Sequence, residues 1–182
     1  MSMESMNVAA ASGPPHAARQ EDPLEYFHAL GLATAAWSAL RHETAALFAE
    51  TCGLEPRVSH ALIGDMRIGE MLNRIRACAL MRAFPPATLE GIEHAAASVE
   101  IFRQNRIYFD CVPVTPHRGI QPDRLDERAG DLRRLSREMW RFSHSLQDLS
   151  RHVGSVGSGS ELQLPTLPPL PDNARHEAIV RL

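Results

Sequence analysis

Apolar residues recur at alternating steps of three and four along much of the chain, the spacing that places side chains on one face of an α-helix. The longest series covers about eight helical turns and consists of Leu125, Ala129, Leu132, Leu135, Met139, Phe142, Leu146, Leu149 and Val153. An earlier series consists of Leu30, Ala33, Trp37, Leu40, Thr44, Leu47 and Thr51. These two stripes predict two long amphipathic helices.

The earlier of the two helices has distinct boundary signals. Asp22, Pro23 and Glu25 supply an N-cap acceptor, a proline at the first helical position and a glutamate in the first turn. Gly53 follows the stripe, and glycine is a typical residue just after a helix end. The sequence therefore predicts a helix from Pro23 to about Cys52.

A second helical region opens at Pro56, a favoured residue for the first helical position. Its predicted inward positions are Val58, Leu62, Met66, Leu72, Ile75 and Ala79. Gly64 and Gly69 weaken the middle of this region because glycine is a poor helix former. Either one interrupted helix or two shorter ones are expected here.

A third helix is expected from about Thr88, after two consecutive prolines, to roughly Ile107. Its predicted inward face includes Leu89, Ile92, Ala96 and Val99. Residues 109–121 contain two prolines and a glycine and predict an irregular connection. The helix that carries the longest stripe then begins at Pro122.

The two ends of the chain differ in composition from the part between them. Residues 1–21 lack helical periodicity, and residues 154–182 begin with a Gly/Ser run and continue with a proline-rich stretch. We therefore expect a disordered leader and a disordered tail around a helical domain at residues 22–153. Pro165 and Pro168 have the spacing of a P-x-x-P ligand, so the tail is either inert or docks in a groove that binds polyproline helices.

The longest stripe is not flanked by the organised charges of a coiled coil, and three other amphipathic segments need a partner face. The sequence therefore predicts an all-α fold, an up-and-down bundle of about four helices. No stretch of about 18 to 20 apolar residues is present, and residues 1–20 lack the order of a signal peptide, so we expect a cytoplasmic protein away from membranes.

Composition narrows the candidate chemistry. The formal net charge of -3 does not indicate a protein that coats nucleic acid, although a local basic patch is compatible with it. The nine histidines are scattered, and the three cysteines, Cys52, Cys78 and Cys111, lack C-x-x-C spacing. We expect reduced thiols, no metal site and no cofactor, and the motifs of common enzyme classes are missing from the sequence.

One polar cluster, at residues 100–110, closes the third predicted helix, and its candidate binding residues are Arg103, Asn105, Arg106, Tyr108 and Asp110. Arg103 and Arg106 share a helical face at i, i+3. Two guanidinium groups can hold a phosphate while the Asp110 carboxylate orients a ribose hydroxyl or an arginine. The alternative interpretation is a local network of ion pairs and capping bonds at the helix end.

The order of these features resembles HEPN-type helical proteins: a first helix centred on Trp37, a middle helix that closes in an Arg/Asn cluster, and a long last helix, together covering residues 24–153. The family signature is an arginine, usually a polar residue after it, and a histidine a few positions later. Asn105 and Arg106 resemble its polar core, but Phe109 or Asp110 stands where histidine is expected. The resemblance implies a helical bundle that commonly dimerises, and many members are metal-independent ribonucleases.

Because the imidazole is missing, the resemblance implies a member without ribonuclease activity. The first interpretation is a non-catalytic binding protein in a defence, toxin-antitoxin or regulatory setting, with a homodimer, a protein partner or RNA as candidate partners. In the second, Arg103 steadies a phosphate and Asp110 or His117 moves a proton in an RNA-cleaving or nucleotide-modifying enzyme. The third is a structural subunit that acts through the longest apolar stripe or the tail.

Overall fold

The computed structural model describes residues 23–64, 66–110, 125–157 and 162–172. Within these residues all regular structure is helical, as the sequence predicts. The helices are α1 (Pro23–Cys52), α2 (Pro56–Ile63), α3 (Ile68–Met81), α4 (Pro86–Asp110) and α5 (Leu125–Gly157). The predicted all-α bundle is confirmed, and the second helical region is divided into α2 and α3. The predicted leader at residues 1–21 lies outside the described residues.

α1 and α5 form the most extensive helix pair of the bundle. Glu25 near the start of α1 pairs with Arg133 in the first third of α5 at 2.6 Å. Near the other end of the pair, the carboxylate of Glu50 lies against Gly154. The two helices are therefore parallel, and the helices between them return the chain to the end where α1 begins.

α4 runs antiparallel to α5. Thr88 at the start of α4 contacts His152 near the end of α5 at 3.1 Å. Further along, Phe102 packs against Phe142 with ring centroids 5.6 Å apart. Because a short turn at residues 82–85 also reverses the chain between α3 and α4, the last three helices alternate in direction, as an up-and-down bundle requires.

The predicted apolar stripes form the core. Every position of the α5 stripe is buried, and so is every position of the α1 stripe except Leu30, which is partly buried against the core. Val58 and Leu62, predicted to face inward, are instead 46% and 47% exposed. The reason is that α2 is only 8 residues long and packs mainly on α1, so its apolar face does not continue beneath α3.

α1 ends in a hydrogen-bonded glycine motif. Gly53 adopts a left-handed conformation with φ of 63°. The N–H of Leu54 donates to the carbonyl of Ala49 at 2.9 Å, and the N–H of Gly53 donates to the carbonyl of Glu50 at 3.2 Å, which is a Schellman motif. Arg82 donates a further bond to the Glu50 carbonyl at 2.8 Å. The predicted end of α1 is confirmed.

Residues 162–172, called the tail segment below, lie in a groove between α4 and α5, the tail groove. The carbonyl of Leu162 accepts a bond from His152 at one end, and the carbonyl of Asp172 accepts one from Asn105 at the other. Thr88 of α4 lies beside His152, and the helix from Thr88 to Asn105 rises roughly 25 Å at 1.5 Å per residue. The two ends of the tail segment are therefore about this far apart. The tail segment must therefore be close to extended, since a helix of the same length would cover only about 15 Å.

The packing of the tail segment differs from the sequence-based expectation, which was a disordered tail from residue 154 onwards. α5 continues to Gly157, and Leu164 and Leu167 in the tail segment pack against the core. The neighbouring prolines restrict the free chain, so less conformational entropy is lost when the segment is ordered. Two parts of the expected tail lie outside the described residues: 158–161 and 173–182.

Candidate anion-binding site

The candidate residues predicted from the sequence lie in the last turns of α4: Arg103, Asn105, Arg106, Tyr108 and Asp110. The side chains of Tyr108 and Asp110 are outside the described part of the chain, and so is His117. The other three side chains do not converge. Arg103 and Arg106 face α1 and the start of α3, whereas Asn105 faces the tail groove.

Arg103 forms a two-pronged ion pair with Glu100, one helical turn earlier. Its Nε donates to Oε2 at 2.8 Å and its Nη2 donates to Oε1 at 2.5 Å. These bonds hold the pKa of the Glu100 carboxyl below its ordinary value and raise the pKa of Arg103. The local ion-pair network expected as the alternative interpretation is therefore present at Arg103. Arg103 also lines a cleft.

Arg106 lies across the indole of Trp37. Its guanidinium carbon is 5.2 Å from the ring centroid, a distance at which a cation is attracted to the aromatic face. Trp37 itself is buried, with 8% of its surface exposed. Arg106 therefore covers one face of the ring and fixes the end of α4 against the middle of α1.

Asn105 acts on the opposite side of α4. Its side chain is 3% exposed, and its Nδ2 donates to the carbonyl of Asp172 at 2.8 Å. Because residues two positions apart point to different sides of a helix, Asn105 does not join Arg103 in one site. Its observed role is to bind the end of the tail segment.

A cleft of about 570 Å³ opens between α1, the start of α3 and α4. We call it the arginine cleft, and its lining residues are Trp37, Arg41, Met66, Arg67, Ile68, Gly69, Glu70 and Arg103. Three separate segments thus each contribute one guanidinium group. Such an arrangement suits a ligand with several anionic oxygens, because each guanidinium presents a fork of donors to an oxyanion.

The charges around the arginine cleft are unevenly paired. Its carboxylate, Glu70, bonds to Arg74 at 2.6 Å. Arg41 makes a long bond to the carbonyl of Met66 at 3.4 Å. Among the described residues, neither Arg41 nor Arg67 has a carboxylate within ion-pair distance, and both side chains are exposed. Two guanidinium groups can therefore accept an anion without first breaking an ion pair to a described residue.

The N-terminus of α3 adds to this positive character. Arg67 is the N-cap residue with φ of -70° and ψ of 143°, and no side chain caps the first turn. The first N–H groups of a helix lack partners within the helix and carry partial positive charge. Together with the nearby guanidinium groups they make this edge of the cleft favourable for oxyanions.

Arg41 and Arg67 were not among the residues predicted from the sequence. A partial signal is present in α1, where Arg41 follows Trp37 at i, i+4 and so lies on the same side of the helix. Arg67 carries no such signal, because its place beside Arg41 depends on how α3 packs against α1. Only the tertiary structure brings the two residues together.

Cys52 of α1 and Cys78 of α3 form a polar contact outside the arginine cleft. Both are free thiols, as predicted, and their Sγ atoms are 2.7 Å apart. Burial, followed by the hydrogen bond and charge of Cys78, raises the pKa of the Cys52 thiol to about 12. Cys111 lies outside the described residues. Because the thiolate is the reactive form, Cys52 is poorly suited to nucleophilic chemistry near neutral pH.

Alkylation should reveal this property. At pH 8 iodoacetamide is expected to modify Cys52 at least about tenfold more slowly in the native protein than in urea, because unfolding returns the thiol pKa to its ordinary range. Peptide mapping by mass spectrometry at timed intervals measures the rate. Equal rates in the native and unfolded protein would contradict the environment described for Cys52.

The chain matches no protein-family model, no curated protein sequence and no solved structure. Over the described residues, no helix is sufficiently long and apolar to cross a lipid bilayer. The same residues contain no group of three or more histidine, cysteine, aspartate or glutamate side chains placed to hold a metal ion. The arginine cleft therefore has to be interpreted from its own chemistry.

Proposed function

We propose that this protein is a non-catalytic, HEPN-like binding protein whose arginine cleft holds phosphate groups of RNA, in a defence, toxin-antitoxin or regulatory setting. The observation that carries the proposal is the approach of Arg41, Arg67 and Arg103 to one cleft. Phosphate oxygens pair with guanidinium groups through two parallel, charge-assisted hydrogen bonds. The cleft volume of about 570 Å³ is in the range of sites that accept a nucleotide-sized group.

The geometry favours contact with the RNA backbone over contact with bases. Base recognition in single strands commonly uses an exposed aromatic face. Trp37, the aromatic residue of the cleft, is buried, and Arg106 covers one face of its ring. Binding that depends on phosphates alone is insensitive to sequence and strongly weakened by salt. The net charge of -3 further limits affinity, so we expect dissociation constants in the range of about 1 to 100 μM, typical of non-specific binding.

The test compares the wild-type protein with Arg41→Ala/Arg67→Ala in RNA binding. Fluorescence anisotropy with a labelled single-stranded RNA, repeated at several salt concentrations, should show a loss of affinity of about tenfold or more, since each lost charge-assisted contact costs on the order of 1 kcal/mol. The slope of log K against log salt should fall by about 1.4, for two single-strand phosphate contacts.

A matched control removes the same charge elsewhere. Arg134→Ala/Arg137→Ala changes two exposed arginines of α5 that do not line the cleft, and it should retain nearly the wild-type affinity. Equal losses in both double variants would show a general charge effect and overturn the cleft assignment. No binding by the wild-type protein would overturn the RNA proposal itself. RNA cleavage that disappears in Arg103→Ala would favour the ribonuclease alternative.

A further inference from the structure

The tail segment is held through its main chain. His152 Nδ1 donates to the carbonyl of Leu162 at 2.8 Å, and His94 Nε2 donates to the carbonyl of Pro168 at 2.7 Å. The Asn105 side-chain amide donates the third bond, to the carbonyl of Asp172. Because a carbonyl only accepts, each histidine nitrogen must carry the proton in these bonds. These polar contacts use side chains of the bundle and backbone carbonyls of the tail segment, so they do not depend on which side chains the bound segment carries.

Over residues 163–169 the burial of the tail segment repeats every third residue, whereas Leu162 and Leu170 on either side are 52% and 50% exposed. Gln163, Thr166 and Pro169 are exposed, whereas the positions between them are at least partly buried as far as Pro168. A polyproline II helix has three residues per turn, so this repeat is expected when such a helix lies with two of its three faces against a surface. The tail groove therefore accommodates an extended peptide with three residues per turn.

Two leucines provide the apolar anchors. Leu164 and Leu167 both pack against the core, and their spacing of three residues equals one turn of a polyproline II helix. Gly91 of α4 makes room for the first of them: a Cβ atom at Gly91 would lie 3.5 Å from Leu164 Cδ1 and 3.5 Å from Leu149 Cδ1. Alanine would fit at these distances, whereas a large side chain at position 91 would compete with Leu164 for the same space.

The far half of the tail groove is incompletely filled. A cavity of about 270 Å³ remains beside Pro168 and Asp172, with Phe102 and Phe142 in its lining. Glu138 also lines it, and burial, together with the nearby charge of Asp172, raises the pKa of that carboxyl. The tail segment thus leaves an open space in this half of the groove and places the carboxyl groups of Glu138 and Asp172 close together. An extended segment with a larger side chain at this point has room to lie in the same groove.

We propose that the tail groove is a binding site for extended, proline-containing peptides with leucines at i and i+3, and that the tail segment is its intramolecular occupant. A partner protein that presents such a segment displaces residues 162–172. The competing occupant is tethered, so it is present at a high effective concentration and the partner must bind more tightly than the tail segment to replace it. This site lies on the other side of α4 from the arginine cleft and does not depend on the RNA proposal.

The test uses the full chain and a fluorescent peptide with the sequence of residues 161–172. In Leu164→Asp/Leu167→Asp the chain's own segment loses its anchors, and the free peptide is expected to bind at least tenfold more tightly than it binds the wild-type protein. In Gln163→Asp/Thr166→Asp the same charge is added to the exposed face, and binding should match the wild type. A peptide with both leucines changed to aspartate should not bind.

Two further variants keep the result interpretable. Leu164→Ala/Leu167→Ala removes the two anchors without adding charge. It replaces the aspartate variant in the experiment if circular dichroism shows that the aspartate variant is unfolded. Gly91→Leu, added to either released variant, fills the space of the Leu164 anchor and should abolish peptide binding. The proposal is overturned if the peptide binds wild-type and folded released variants equally, binds neither of them, or binds the Gly91→Leu form unchanged.

Discussion

Replacing Phe142 by alanine is expected to lower the free energy of unfolding by about 3 to 5 kcal/mol. Phe142 is 2% exposed, and its ring packs against Phe102, which is equally buried. The substitution removes apolar contacts between α4 and α5 and leaves a cavity that the surrounding helices cannot close completely. Urea denaturation followed by circular dichroism measures the change in the free energy of unfolding. In a thermal melt, the same loss of stability should lower Tm by roughly 10 °C for a chain of this size.

Trp140 is the matched control for Phe142. It is a larger aromatic residue on the same helix, two positions away, but 43% of its surface is exposed. Trp140→Ala should therefore cost less than about 1.5 kcal/mol, because little packing is lost at an exposed position. If the two variants were equally destabilised, the assignment of the α5 faces to core and solvent would be wrong.

The positions of α1 and α5 could be predicted because the signals that define them lie within each helix and at its ends. A stripe of period 3.6 identifies the buried face of a long helix, and the Gly53 signal identifies the end of α1. The same reasoning failed for Val58 and Leu62. Their apolar spacing is real, but a helix of two turns has few neighbours, and the division at Gly64 separates it from the surface that α3 covers.

The candidate site was predicted less well, for a geometric reason. Sequence proximity grouped Asn105 with Arg103 and Arg106, although a helix directs the amide away from the two arginines. The guanidinium groups that accompany Arg103 in the cleft are Arg41 and Arg67, which belong to other segments. No local pattern links three segments whose meeting depends on helix packing.

The tail segment shows a different limit of local reasoning. Its composition is typical of flexible or polyproline chains, and composition alone does not reveal a receptor surface. That surface is built from His94, His152 and Asn105. The two histidines were expected to be scattered surface residues, because no histidine of the chain pairs with another at i, i+4. Pro165 and Pro168 have P-x-x-P spacing, yet the packing is supplied by Leu164 and Leu167, each of which directly precedes one of these prolines.

His152 is the residue that connects the bundle to the tail segment most directly. It is 7% exposed, and its two ring nitrogens contact Leu162 O at 2.8 Å and Thr88 Oγ1 at 3.1 Å. Because Nδ1 donates to the carbonyl, the neutral ring presents Nε2 as an acceptor for the Thr88 hydroxyl. His152→Ala should therefore lower the free energy of unfolding by about 3 kcal/mol, since it leaves a buried hydroxyl and a carbonyl without partners.

A double-mutant cycle separates this contact from simple loss of packing. Thr88 is 2% exposed, so Thr88→Val removes its hydroxyl while nearly preserving its shape. If His152 and Thr88 interact as described, the double variant should be less destabilised than the sum of the single variants by about 1 kcal/mol. His144→Ala, at an exposed position of the same helix, should change stability by less than about 0.5 kcal/mol. Additive effects at His152 and Thr88 would mean that the ring and the hydroxyl do not interact, and the contact assigned to Nε2 would be wrong.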